Sequence, residues 1–241
     1  MSNKIKSPNE KSNGFIWAIV AVLVIAVIVV GYIVYSGKDA KTEWIAEREF
    51  QDVQFEAELD GDAVILKADS ATEGTPSANL FEDFSCSYCS QLAIATDGQM
   101  KDAVEGGELV VHVQPLHFLD RDNASGNSHR ALAASLATLE YGDADLYWNY
   151  RSLLLEEQSE IANQWSDEDY AAAAGAMGAS EEVVSAIENG EFMEQAATIG
   201  DANGTYLQEE TGSLSSPRVL QDGKDIAEDN IQAWVEIAKQ G

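Results

Sequence analysis

The only two cysteines of the 241-residue chain lie three positions apart, in the segment Cys86-Ser87-Tyr88-Cys89. A strand-like run, Asn79 to Phe84, ends just before them, and a helical pattern follows to about Val104. A thiol at the first turn of a helix faces free backbone N–H groups and the positive end of the helix dipole, both of which favour the thiolate. The spacing also brings the second sulfur within disulfide reach. We therefore predict a redox-active pair, with Cys86 as the nucleophile and Cys89 as the resolving thiol.

Three other interpretations of this pair stay open at the level of sequence. It could be a structural disulfide, although so short a loop removes little entropy from the unfolded chain. It could be half of a metal site completed by His112, His117 or His129, although their spacing follows no ligand pattern. It could also be a remnant without turnover. The position of the pair between a strand and a helix favours the redox interpretation.

The composition excludes several classes of protein. The chain holds 14 Lys and Arg against 42 Asp and Glu, a formal net charge of −28. Because binding to nucleic acid needs clustered basic side chains, this charge argues against a nucleic-acid partner. Two cysteines cannot form a disulfide-dense scaffold or a four-thiolate zinc site. No nucleotide, flavin or metal motif is visible, so we expect no cofactor and no metal.

An uncharged apolar run, Phe15 to Tyr35, follows a short basic tail, residues 1–14. As a helix this run would span roughly 30 Å, which matches the hydrocarbon core of a bilayer. We predict a single transmembrane signal anchor. A cleaved signal peptide is the alternative, but its apolar region would be only about 7–15 residues long. Lys4, Lys6 and Lys11 predict a cytoplasmic tail, with the rest of the chain outside the cell membrane.

Residues 36–59 read as a juxtamembrane linker or stalk, and residues 60–240 as one α/β domain. In that domain a strand, the helix after the cysteines and an apolar strand, Leu109 to Val113, are followed by a helical region at about 125–210. A strand that opens at Pro217, a turn and an amphipathic helix complete the chain. The chemistry-bearing segments are therefore separated by a long helical insert.

Several of these segments together resemble the DsbA-like thiol–disulfide oxidoreductases, of the membrane-anchored bacterial type. Asp83-Phe84-Ser85-Cys86-Ser87-Tyr88-Cys89 is similar to the family's Asp-aromatic-x-Cys-Pro-Tyr-Cys segment, and Ser215-Ser216-Pro217 matches its loop with a cis-proline. The segments 107–116, 148–155 and 165–168 resemble its next strand and its insert helices. The resemblance implies a thioredoxin-like fold with an inserted helical subdomain, preceded by a single N-terminal transmembrane helix.

The resemblance also implies roles for residues outside the cysteine pair. Pro217 would be cis, would lie against the pair and would hold the substrate chain through backbone contacts. Ser87, Tyr88, Ser216 and Arg218 would bind substrate or tune the thiols.

This sequence departs from the family at three positions. Ser87 replaces the usual proline, which leaves the redox potential open. Leu80 replaces a buried acid that helps to move the proton of the second thiol in many relatives, and Glu82 or Asp83 could substitute for it. Arg218 replaces a common threonine, and a cation near Cys86 would lower the pKa of its thiol.

The function that the resemblance implies is dithiol–disulfide exchange on exported proteins outside the membrane. Formation of disulfides is favoured, with reoxidation by a membrane redox partner and a monomer as the default state. A reductase or isomerase is the alternative within the same class. A peptide-binding module without turnover and a metallochaperone are alternatives from other classes.

Overall fold

The computed structural model describes residues 41–241. The predicted membrane anchor, residues 15–35, and the tail before it lie outside the described residues. Within residues 41–241, no helix is both long enough and apolar enough to cross a bilayer.

The strands of the described chain form one mixed sheet. They are β1 (Glu56–Asp60), β2 (Ala63–Lys67), β3 (Ser77–Asp83), β4 (Val110–Leu116), β5 (Arg218–Gln221) and β6 (Lys224–Asp225). Their order across the sheet is β1-β2-β4-β3-β5-β6. The central strands β3 and β4 run parallel, and the other adjacent pairs are antiparallel. The strands predicted at 79–84 and 109–113 are confirmed and are the two central strands of the sheet. They are largely apolar because helices cover the sheet on both faces.

The helices lie at three places along the chain, between β3 and β4, between β4 and β5, and after β6. The helix α1 (Ser87–Glu105) connects β3 to β4, and α8 (Trp234–Ala238) ends the chain. Between β4 and β5 lie α2 (Asn127–Tyr141), α3 (Ala144–Glu156), α4 (Gln158–Ile161), α5 (Asp167–Ala176), α6 (Glu181–Glu188) and α7 (Met193–Thr211). These six helices lie in the region where the sequence predicts a helical insert, at about 125–210. This arrangement is the predicted thioredoxin-like fold with a helical insertion.

Apolar side chains cover both faces of the sheet. On one face, residues of β2, β3 and β4 form a core with α1 and α8, in which Met100 and Trp234 are fully buried. On the other face, Phe81 and Leu220 pack against Leu207 of α7. A further core joins the insert helices to Phe84 and both cysteines. The cysteine pair therefore lies where the sheet meets the insert.

The segment expected as a linker, residues 36–59, is part of the folded unit from residue 42 onward. Ile45 is buried in the insert core, and Val53 is buried beside the sheet. The backbone N–H of Val53 donates to the Asp145 carboxylate at 2.6 Å, and β1 takes residues 56–60. The many charged residues here suggested an exposed stalk, but the few apolar ones are sufficient to anchor the segment.

Candidate active site

The two cysteines lie at the junction of β3 and α1, as predicted. Cys86 is the N-cap residue of α1, with extended backbone, and Cys89 lies in the first turn of the helix. The turn between strand and helix is closed by the N–H of Cys86, which donates to the carbonyl of Asp83 at 2.9 Å. Both cysteines are free thiols. The side chain of Cys86 therefore lies at the positive end of the helix dipole.

The Cys86 thiol is strongly acidic. Its pKa is lowered to about 5, chiefly by hydrogen bonding with the Cys89 thiol, which outweighs the opposing effect of burial. The neighbouring Ser216 and hydrogen bonds from the backbone N–H groups of Cys89 and Tyr88 lower this pKa further. Cys86 is therefore a thiolate at neutral pH.

The Cys89 thiol behaves in the opposite way. Only 2% of its surface is exposed, and burial is the main reason why its pKa is raised well above the usual value. The hydrogen bond and charge of Cys86 raise this pKa further. Its Sγ accepts a hydrogen bond from the backbone N–H of Asp83 at 3.5 Å. At neutral pH the pair therefore consists of one thiolate and one thiol.

A third segment reaches this pair from the other end of the insert. The peptide bond between Ser216 and Pro217 is cis, as the resemblance implied. Since β5 pairs with β3, with Arg218 opposite Phe81, the loop before β5 is brought to the end of β3 where the cysteines lie. Sγ of Cys86 lies 3.4 Å from the carbonyl oxygen of Ser216, a contact between residues 130 positions apart.

The remaining predicted site residues differ in their surroundings. Ser87 and Tyr88 are exposed beside Cys86. Arg218 does not provide the free cation that the sequence suggested near Cys86. Its Nε donates to Oδ1 of Asp225 at 2.7 Å, and its pKa is raised mainly by this hydrogen bonding. The acidity of Cys86 comes chiefly from hydrogen bonds instead.

The two acids that the sequence left open, Glu82 and Asp83, have different environments. Glu82 accepts two hydrogen bonds from Arg151 of α3, at 2.7 and 2.6 Å, and Arg151 also donates to Asp97 of α1 at 2.8 Å. All three side chains are buried. Leu80 lies in the apolar core. Glu82 is therefore held in a buried ion cluster that connects the insert to the sheet and to α1.

Asp83 is fully buried and makes no ion pair with Lys or Arg in the described structure. Its carboxylate accepts hydrogen bonds from the Ser128 hydroxyl at 2.6 Å and from the backbone N–H groups of Ser85 and Leu119 at 2.8 and 3.2 Å. Burial outweighs these bonds and raises its pKa to about 6. Asp83 thus titrates close to neutral pH directly beside the cysteine turn.

The insert also fastens the residue that precedes Cys86. The Ser85 hydroxyl accepts from Asn127 at 2.9 Å and lies 2.8 Å from the Ser128 hydroxyl, which donates its own proton to Asp83. The Ser85 carbonyl accepts from Gln158 at 2.8 Å. Sequence reasoning missed these residues. The sequence carried no clear signal for them, because each lies in the first turn of a helix, where polar side chains are common.

The three histidines offered as metal ligands do not form a metal cluster. Among residues 41–241, no group of three or more His, Cys, Asp or Glu side chains is arranged to hold a metal ion. His117 and His129 stack on each other with ring centroids 3.8 Å apart, and Nδ1 of His129 lies 2.9 Å from Asp120. His112 lies in β4, where burial lowers its pKa.

Comparison with known proteins identifies close structural relatives. No protein-family model matches the chain, and no curated protein sequence does. The solved structure of the MdbA protein, a thiol-disulfide oxidoreductase from Corynebacterium diphtheriae, matches with a TM-score of 0.78 and 42% identity over 80% of this chain and 98% of that one. MdbA from Corynebacterium matruchotii matches with a TM-score of 0.78 and 35% identity over 83% and 98% of the two chains.

More distant structures share the fold. The reduced form of DsbG from Mycobacterium tuberculosis matches with a TM-score of 0.60 and 19% identity, over 75% of this chain and 87% of that one. The two MdbA matches, at 35–42% identity over nearly the whole length of those chains, agree with the Cys-x-x-Cys pair and the cis-proline at one site. The chain belongs to the DsbA-like family of thiol–disulfide oxidoreductases.

Proposed function

We propose that this protein forms disulfides in exported proteins through Cys86 and Cys89. The observation that carries the proposal is the opposite displacement of the two thiol pKa values, with Cys86 lowered to about 5 and Cys89 raised. A thiolate that is stable in the reduced enzyme makes the disulfide form a stronger oxidant. Oxidation of substrate is therefore favoured over its reduction.

The reaction begins with Cys86 and Cys89 joined in a disulfide. A substrate thiolate attacks Sγ of Cys86, which forms a mixed disulfide and releases Cys89, and Cys89 takes up a proton. A second substrate thiolate attacks the substrate sulfur of the mixed disulfide and releases Cys86 as a thiolate. The substrate loses two electrons and two protons. The enzyme pair gains the two electrons, one proton stays on Cys89 and the other passes to solvent. The low pKa of Cys86 makes it a good leaving group.

We assign the exchange of the Cys89 proton to Asp83. Its backbone N–H contacts Cys89 Sγ, and its carboxyl has a pKa of about 6. Glu82 is bound by Arg151, and Leu80 carries no proton. The Asp83→Asn variant keeps an oxygen for Ser128 but cannot titrate. We expect the rate of reaction at Cys89 to lose its pH inflection near 6 in this variant. An inflection that persists would contradict the assignment.

The substrate is an extended polypeptide. Each of three segments connected to the cysteine turn carries an exposed apolar side chain. They are Tyr88 at the start of α1, Leu119, whose backbone N–H donates to the Asp83 carboxylate, and Leu214 in the loop before Pro217. Exposed apolar side chains of this kind suit an unfolded chain, which exposes its own apolar residues. Pro217, with Ser216, would align the backbone of that chain beside the thiols.

We place the catalytic domain outside the cell membrane, anchored by residues 15–35 with a cytoplasmic N-terminus. The apolar length of that segment and the three lysines before it support this placement. Disulfides persist in oxidising compartments outside the cytosol. A membrane redox partner would then reoxidise the pair, and the protein would act as a monomer.

The test uses a reduced, unfolded protein with two cysteines as substrate for the oxidised enzyme. We expect Cys86→Ala to abolish disulfide formation, because the attacked sulfur is lost. Cys89→Ala cannot form the internal disulfide. When the substrate is supplied in its disulfide form, the Cys86 thiolate of this variant should attack that disulfide and stay joined to the substrate as a mixed disulfide, because no Cys89 thiol is present to release it. The alternative of a peptide-binding module predicts instead that Cys86→Ala retains full activity in the cell, and that result would overturn the proposal.

A further inference from the structure

The loop that faces the thiols, residues 212–217, is held by hydrogen bonds of side chains. It does not pair with a strand of the sheet. It begins at Gly212, which ends α7 in the left-handed conformation with φ 74°. The Thr211 hydroxyl donates to the carbonyl of Ser213 at 3.0 Å. The residues from Gly212 to Ser215 are exposed. A segment of this kind needs an external brace to keep one conformation.

Arg218, the first residue of β5, provides such a brace. Its Nη1 donates to the hydroxyls of Ser213 and Ser215, at 3.1 and 3.2 Å. Its Nε and Nη2 face the Asp225 carboxylate of β6 as a two-pronged pair, with Nε to Oδ1 at 2.7 Å. The two side chains are 18% and 15% exposed. One guanidinium thus connects the loop to the edge strand of the sheet.

This brace also forms part of a groove beside the loop. The groove has a volume of about 360 Å³, and Pro217, Arg218, Asp225, Ile226 and Ile231 are among its lining residues. The groove adjoins Pro217, and the residue before this proline, Ser216, contacts the Cys86 thiol through its carbonyl oxygen. A shift of Arg218 would therefore change both the loop and the groove that adjoins it.

We propose that Arg218, locked by Asp225, is a positioning residue that holds the loop 212–217 and its adjoining groove in the shape that receives a substrate polypeptide. The proposal rests on the function proposed above, since it concerns the substrate of that same site. Arg218 acts here through the geometry of its planar fork, which a lysine cannot reproduce. Its charge is compensated by Asp225, and its hydrogen bonds to the loop reach no further than Ser215, before the residue that contacts Cys86. The chemistry of the two thiols therefore does not depend on it.

The test compares a polypeptide substrate with a small thiol, using the full-length oxidised protein and the variants Arg218→Lys and Asp225→Asn. The substrates are a reduced two-cysteine peptide and dithiothreitol. We expect each variant to raise the KM for the peptide by at least about tenfold. Displacement of a positioning element by an ångström can lower the efficiency of a reaction on the order of 10²-fold. The rate with dithiothreitol should stay within about twofold of the wild-type rate. The equilibrium constant that corresponds to the potential of the cysteine pair should also stay within about twofold of the wild-type value.

A double variant and a matched control sharpen the result. Arg218→Lys combined with Asp225→Asn should be no worse than either change alone, because both break the same contact. Lys239→Ala removes two ion pairs at the C-terminal end of α8, one with Glu108 and one with Glu236, and should leave the peptide KM unchanged.

Three outcomes would overturn the proposal. A wild-type KM for the peptide in Arg218→Lys would show that the fork is not needed. An equal loss with dithiothreitol, or a shifted potential, would show that Arg218 acts on the thiols. Additive effects in the double variant would show that the two residues act separately. A wild-type protein that oxidises neither substrate would refute the proposed function itself, which is a distinguishable result.

Discussion

At the scale of single residues, the site depends on two identical side chains with opposite acidity. Cys86 lies at the open end of a helix and receives hydrogen bonds, whereas Cys89 lies one turn inside, where burial dominates. The same three-residue spacing therefore yields a leaving group and a proton-retaining thiol. The sequence could predict these roles, because both follow from where a helix begins.

The acidity of Cys86 predicts how the stability of the reduced protein depends on pH. The folded pKa, about 5, lies below the usual value of 9.0. The stabilisation from this thiolate is therefore complete above about pH 9 and is lost as the pH falls through 5. The oxidised form has no such thiol to titrate. Denaturant unfolding of both forms should show the reduced form gaining stability relative to the oxidised form from pH 5 to pH 9.

The Cys86→Ala variant is the control for this measurement. Its stability should lack the contribution of the thiolate over the same range of pH. If the wild-type difference between reduced and oxidised forms stays constant from pH 5 to pH 9, the hydrogen bonds described around Cys86 do not stabilise a thiolate.

At the scale of elements, a buried ion cluster connects three of them. Arg151 of α3 binds Glu82 of β3 and Asp97 of α1, the helix that carries the cysteines. Burial raises the pKa of Asp97 to about 6 despite the arginine. The sequence did not predict this cluster, because its members lie 54 and 69 residues apart and no local pattern links them. Arg151 is the one basic residue of α3 and lies among apolar and aromatic side chains, and that was the only signal.

Removal of Arg151 should be strongly destabilising. Arg151→Met leaves Glu82 and Asp97 without their cation in the core, and a broken buried pair costs about 3–5 kcal/mol. Arg48→Met is the matched control, since Arg48 pairs with Glu156 at a site where the side chains are 22% and 31% exposed, and such pairs contribute about 1 kcal/mol or less. Urea unfolding of both variants checks this. Equal losses would mean that the buried cluster does not hold α1 to the insert.

At the scale of the whole molecule, the order of elements could be predicted and the extent of the fold could not. Apolar runs and turn residues identified the strands at 79–84 and 109–113, and the helical insert between them and Pro217. The N-terminal boundary was different. Its charged residues suggested a linker, but Ile45 and Val53 pack into two separate cores, a contact that depends on residues far along the chain.

The segment 42–55 should therefore contribute to stability. A fragment of residues 56–241 lacks the buried Ile45 and Val53 and the hydrogen bonds of this segment to α3. We expect it to unfold at a lower temperature than a fragment of residues 42–241, since each large apolar side chain removed from a core costs about 2–5 kcal/mol. Calorimetry of the two fragments makes the comparison. Equal melting temperatures would restore the linker interpretation.

The central claim is that the Cys86–Cys89 pair donates disulfides, and its equilibrium potential tests that claim most directly. The full-length protein is equilibrated with glutathione buffers, and the fraction of oxidised pair is measured. We predict a potential near −120 mV, about that of a strong disulfide donor. A potential below about −250 mV, near that of thioredoxin, would contradict the account and identify a reductase.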